Sequence, residues 1–248
     1  LTDALVEDNS IYIGNNPSAT TNEAINNIAI GKTSLKSITT GDNNVGVGNN
    51  TLSANTSGEA NVAIGSLALE TNTTGSNNVS LGNFSMYLNT TGSNNIAVGQ
   101  LSLKENTTGG SNTAIGYGAL SSSSTADKNT AVGELSLNVN TTGDKNTAVG
   151  ASSLKANTTG SMNAALGQDA LSGNTTGQKN TAIGYQALLS NTIGKTNTAI
   201  GYMSLKANTT SEENTAIGYA TLYSNTDGEY NTAVGNRALL YNTTGDDN

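Results

Sequence analysis

Side chains able to do chemistry are scarce in this sequence. It contains no His and no Cys, the types that most often serve as general base or nucleophile near neutral pH. Carboxylates remain, and they are scattered: Glu134, Asp169, Glu212, Glu213, Asp227, Asp246 and Asp247. Folding could still pair two of them, but solvating surface charge accounts for them equally, and the chain reads as no enzyme. Oxygen ligands alone would suit calcium, with Asp42–Asn43 or Asp246–Asp247 contributing. The Gly- and Asp-rich nonapeptide of calcium-binding rolls is absent, so neither metal nor cofactor is assigned.

Three further patterns could carry binding. Tyr117, Tyr185, Tyr202 and Tyr219 recur at one fixed place in a regular pattern. An exposed file of this kind could stack on sugars, or it could cover a turn and cap columns of Leu. Asn-Thr-Thr at Asn72, Asn89, Asn106, Asn140, Asn157, Asn174, Asn208 and Asn242, with Asn-Thr-Ser at Asn55, matches the N-glycosylation acceptor pattern. It is also ordinary turn chemistry. Regular Thr columns would suit a flat ice-binding face, or simply strand propensity and hydroxyl bonding between neighbours.

What positions these residues is a repeat. Asn-Thr-Ala-Ile-Gly stands at Asn180–Gly184, Asn197–Gly201 and Asn214–Gly218. Looser copies recur with the same period of seventeen from Ser10 to the last residue, giving 14 units without an insertion or deletion. Unbroken self-similarity points to a stacked array before any other architecture. Residues 1–9 form a lead-in and residues 10–248 one repeat domain. The pattern runs to both ends of the sequence, which suggests a segment of something longer.

Each unit is numbered from its Asn. Position 2 is Ile or Val in the first six units and mostly Thr afterwards; position 3 is usually Ala; position 4 is always Ile, Val or Leu. Position 5 is always Gly: Gly14, Gly31, Gly48, Gly65, Gly82, Gly99, Gly116, Gly133, Gly150, Gly167, Gly184, Gly201, Gly218 and Gly235. A forced turn of positive φ explains an invariant glycine there. Position 9 is Leu or Met after the first unit. Positions 12–15 commonly read Asn-Thr-Thr-Gly, in which Gly would supply a chain reversal.

Alternation sends positions 2 and 4 to one face of a strand and position 3 to the other. Positions 6–11 fit either a second strand or a single helical turn. Parallel stacking places identical residues about 4.8 Å apart. Ile and Val at position 4 and Leu at position 9 then form apolar columns. Asn at position 12 (Asn55, Asn72, Asn89, Asn106, Asn140, Asn157, Asn174, Asn191, Asn208, Asn225 and Asn242) forms an amide ladder, and Asn at position 1 another. A single rung offers few apolar side chains, so the small positions 3 and 8 are expected to face other chains. The expected assembly is a homo-oligomer, most simply a trimer, whose chains share Ala and Leu columns in one core.

Composition narrows the partners. A net charge of −8 with no basic patch argues against nucleic acid, whose phosphates demand Lys and Arg. No apolar run is long enough to span a membrane, and no signal peptide stands at Leu1. A cysteine-free chain fits a secreted or surface protein without disulfides, as it fits a cytosolic one.

The pentapeptides, such as Asn61–Gly65 and Asn95–Gly99, together with the strict period, resemble the head repeats of trimeric autotransporter adhesins and similar repeats of phage tail fibres and surface fibres. The family's rung is shorter and lacks the fixed Asn-Thr-Thr-Gly. The resemblance implies an all-β, left-handed, trimeric parallel β-roll on a cell surface or virion, a stiff fibre for attachment to a surface glycan or host receptor. The alternative is a monomeric ice- or glycan-binding β-solenoid.

Overall fold

Each repeat contributes one short strand, and the strands pair in parallel with their counterparts one repeat away. The computed structural model describes residues 4–7, 9–14 and 23–248. The chain divides into two compact units, Leu1–Ala126 and Asp127–Asn248. In the first, β1 (Ala4–Glu7), within the lead-in, pairs antiparallel with β2 (Ser10–Ile13). β3 (Ile28–Ile30), β4 (Val45–Val47), β5 (Val62–Ile64), β6 (Val79–Leu81), β7 (Ile96–Val98) and β8 (Thr113–Ile115) follow. The second unit holds β9 (Thr130–Val132), β10 (Thr147–Val149), β11 (Ala164–Leu166), β12 (Thr181–Ile183), β13 (Thr198–Ile200), β14 (Thr215–Ile217) and β15 (Thr232–Val234). From β2 onward, strands within each unit pair in parallel with like positions opposed, as in Val45↔Val62 and Thr181↔Thr198. The fold is an all-β parallel β-solenoid.

Positions 6–11 are neither strand nor helix but a run of turns. Their backbone alternates in handedness: φ is 129° at Gly184, 54° at Gln186 and 52° at Leu188. Alternation aims successive amides at opposite neighbours. Gln186 N–H donates backward to Gln168 O at 3.1 Å, whereas Leu188 and Ser190 donate forward to Ser204 O and Lys206 O at 3.0 and 3.1 Å. Left-handed φ at a residue with a Cβ costs roughly 1–2 kcal/mol. From Asn27 on, the rungs hold such residues at positions 7, 9 and 17, for example Gln186, Leu188 and Thr196, with Gly118 in place of a Cβ-bearing residue in one of them. The coil accepts this cost because the alternation gives these amides partners in adjacent rungs.

The side chains sort opposite to the expectation for the strands. Ala at position 3 points inward and is fully buried, as at Ala63, Ala97, Ala182 and Ala199. The β-branched residues at positions 2 and 4 point outward: Ile28, Ile30, Ile64 and Ile96 are about 40% exposed. So short a coil encloses too little space for them. Its interior is filled by Ala, the Ser or Ala of position 8, the Leu of position 9 and two asparagines, all buried. Gly46 shows the tightness: a Cβ there would lie 2.5 Å from Ser34 Oγ and 3.0 Å from Thr51 Oγ1.

The Ala and Leu columns are therefore sealed within their own chain and are not available for a core shared among chains. The position 4 column exists, but on the outer face.

Truncating Leu188 to Ala should lower stability by about 2–5 kcal/mol. Truncating Ile183, which is 37% exposed, should cost less than about 1 kcal/mol. Urea midpoints of the two variants check this, and equal losses would refute the inward–outward assignment.

Candidate functional site

Where a rung carries Asn at both positions 1 and 12, the two converge on one carbonyl. Asn146 Nδ2 and Asn157 Nδ2 donate to Gly160 O at 2.8 and 2.9 Å. In the first unit Asn44 and Asn55 donate to Gly58 O, both at 2.9 Å. The position 1 amide reaches position 15 of its own rung and so closes the loop of the coil. Along each run of the ladder the position 12 Asn also reaches the preceding rung. Asn72 donates to Asn55 Oδ1 at 2.8 Å, Asn89 to Asn72 and Asn106 to Asn89 at 2.7 Å. In the second unit Asn157, Asn174, Asn191 and Asn208 donate in the same way to Asn140, Asn157, Asn174 and Asn191 at 2.7–2.9 Å. Asn225 and Asn242 continue it at 3.3 and 3.0 Å. At position 1, Asn44 N–H and Asn163 N–H donate to the Oδ1 of Asn27 and Asn146.

Two different demands select the two glycines. Position 5 carries φ from 82° at Gly14 to 143° at Gly82. Gly31, Gly48, Gly65, Gly99, Gly116, Gly133, Gly150, Gly167, Gly184, Gly201, Gly218 and Gly235 lie between these values. Position 15 is not a reversing glycine, because Gly58, Gly75 and Gly160 are not in the positive-φ region. It is required for space: a Cβ on Gly160 would lie 2.3 Å from Gly177 O and 2.4 Å from Asn157 Oδ1.

Departures from the repeat show the coupling. Where position 15 is Ala126, position 12 is the shorter Ser123. The exchange leaves Ser123 Oγ and Asn106 Oδ1 buried without partners. Where position 15 is Ser211, its hydroxyl donates to Asn208 Oδ1, and the ladder step from Asn225 to Asn208 lengthens to 3.3 Å.

These contacts bear on the binding patterns. The Nδ2 of Asn72, Asn89 and Asn157 is buried and already donates twice. A sugar on that nitrogen would replace one of the two donating hydrogens and has no room in the folded coil. Thr hydroxyls at position 13 donate to the next rung's carbonyl, as from Thr73 to Thr90 O at 3.0 Å. The outward hydroxyls of the strands are those of position 2 from Thr113 onward, interrupted at Ala164. Asp42 Oδ1 and Asp246 Oδ1 each accept a backbone N–H of the preceding rung at 2.8 Å, and Asn43 accepts from Asn26 at 3.3 Å. Glu213, with Glu229, Glu212 and Asp247, crowds Tyr230 and pushes its phenol above the ordinary range. No group of three or more metal-ligating side chains occurs among the described residues.

The tyrosines divide. Tyr185, Tyr202 and Tyr219 stack on one another, with ring centroids 5.3 and 5.2 Å apart and planes 21° and 3° from parallel. Their faces cover each other, so the file presents edges and hydroxyls and offers no open platform for sugar rings. Tyr117 belongs to the first unit and takes no part in this file.

The second unit also contains a groove that the Tyr spacing did not reveal. Its volume is about 430 Å³ and its lining includes Met203, Tyr219, Ala220, Tyr223, Arg237 and Tyr241. Arg237 lies over Tyr219 at 5.8 Å, and Lys206 lies over Tyr223 at 5.7 Å. The available signal was departure from the repeat: Tyr241 stands where no other rung carries an aromatic residue, and Arg237 is the sole Arg in the chain. Comparison with protein-family models, curated proteins and solved structures finds no match to this chain.

Restoring the ladder at Ser123 should need two substitutions. Ser123→Asn alone should destabilise, because its amide meets the Ala126 methyl. Combined with Ala126→Gly it should stabilise by about 1 kcal/mol or more, by giving Asn106 Oδ1 a donor. A double-mutant cycle read by thermal denaturation tests this, and additive effects would refute the coupling.

Proposed function

We propose that this chain is a non-enzymatic segment of a fibre displayed outside the cell or on a virion, associating with copies of itself, most simply as a trimer, to support attachment. The observation that carries this reading is the outer sheet face of the first unit. From β2 to β7, positions 2 and 4 are Ile, Val or Leu without interruption, and they lie half-buried or exposed. Six strands about 10 Å long and about 4.8 Å apart make an apolar face of about 300 Å². A patch of that extent is of the size of the largest apolar patches on monomeric proteins, which are often functional. A second copy supplies side-chain rows of the same spacing, so rows can interdigitate rung by rung. The face is smaller than the about 800 Å² per partner of a standard interface, so association should depend on concentration. The resemblance to adhesin heads and tail fibres is consistent with surface display, with a glycan or host receptor as the further partner.

A second reading, a monomeric ice-binding solenoid, draws on the second unit alone. There Thr130, Thr147, Thr181, Thr198, Thr215 and Thr232 align outward beside Val or Ile.

Sedimentation equilibrium separates the two. The chain should sediment as an oligomer that grows with concentration, and replacing Ile28, Ile30, Ile64 and Ile96 together by Thr should return it to a monomer with an unchanged far-ultraviolet spectrum. A monomer at every concentration would overturn the fibre reading, and thermal hysteresis of such a monomer would establish the second.

A further inference from the structure

The groove of the second unit lies outside the repeat's structural logic. Positions 6, 7, 10 and 11 vary from rung to rung and take no part in the Asn ladders. Their composition ranges from wholly small or flexible polar, as in the rungs starting at Asn27 and Asn146, to partly apolar, as with Phe84, Tyr87 and Leu88. Around Ala220 they gather Tyr219, Tyr223, Tyr241, Met203 and Arg237, in a chain whose aromatic content is only 4%. The floor is Ala220, 7% exposed. It stands between Met203 and Arg237 in neighbouring rungs, and its small side chain opens the slot.

Charge decides what fits. The chain is acidic, at −8 overall, yet this groove holds Arg237, with Lys206 against its Tyr223 wall. Neither cation is ion-paired with a carboxylate among the described residues; the ion pairs found there are Lys104–Glu105 and Lys195–Glu212. Guanidinium binds carboxylate through two parallel hydrogen bonds. Tyr241, 83% exposed, is the wall left to contact the carbon face of a ring, while the hydroxyls of Tyr219 and Tyr223, whose faces are already covered, serve its polar edge. A volume of about 430 Å³ lies within the size range of small-molecule sites.

We propose that this groove binds a carboxylate-bearing sugar, a uronic acid unit of an acidic polysaccharide, with Arg237 on the carboxylate and the tyrosines around the ring. The proposal rests on the adhesive reading and names the ligand class that would serve it.

The test is titration of the full chain with a galacturonic acid trisaccharide, using its methyl ester as the uncharged control, read by calorimetry. The acid should bind at least ten-fold more tightly than the ester. Arg237→Gln should remove that preference, and Arg237→Lys should keep part of it. Ala220→Leu should abolish binding of both. Leu at this position is compatible with the coil, since Leu67, Leu101 and Leu135 hold it at φ of 54–62°, beside 48° for Ala220, and an unchanged melting temperature would confirm the fold. Absence of binding, equal affinity for acid and ester, or undiminished binding by Ala220→Leu would overturn the proposal. Failure here with an oligomer still seen in sedimentation leaves the fibre reading standing. Binding by a strict monomer removes the fibre reading and retains the site.

Discussion

The structure depends on a carbonyl that accepts two side-chain amides. At Gly160, Asn146 and Asn157 both donate to the same oxygen, tying the beginning of the rung to its end. Buried amides are costly unless paired, about 1–3 kcal/mol for each group left unmet. Along the unbroken stretches of the ladder the remaining needs of each Asn are met by the rung before and the rung after. No rung can therefore be satisfied alone. The left-handed residues reinforce this, since their cost falls within a rung while many of the bonds they permit run between rungs. Stability is a property of neighbours, as in other linear repeat proteins.

This arrangement accounts for what the repeat holds constant and what it lets vary. Position 5 must be Gly because of its backbone angle. Position 15 must be small because the paired amides leave no room. Leu at position 9 fills what space remains. The outward positions carry no such obligation. The first unit uses that freedom for an apolar strand face, and the second uses it for Thr on its strands and for an aromatic, cationic groove on its turns. Function in such a coil belongs at these permissive positions, and Arg237, Tyr223 and Tyr241 are informative because nothing in the scaffold calls for them.

Much of the scaffold was legible before folding. The period gives the parallel register, the pentapeptide gives the strand, and an invariant Gly after Ile or Val gives the turn. The recurring Asn implies partners at the same height in adjacent rungs. The candidate site was legible only in part. Equal spacing brought out Tyr185, Tyr202 and Tyr219, but the same spacing makes them stack face to face. The groove combines one aligned column, Met203, Ala220 and Arg237, with Tyr219, Tyr223 and Tyr241 at three other positions, and the period aligns only the first set.

What the sequence determined alone is the segregation of positions 2 and 4 from position 3, because side chains alternate along any strand. Which set lies inside was left to the tertiary structure. Hydrophobicity favours Ile and Val, but a coil closed by so short a repeat has room for Ala, Leu and two asparagines and for little else. Packing volume reversed the order of polarity, and that reversal leaves the apolar face of the first unit uncovered.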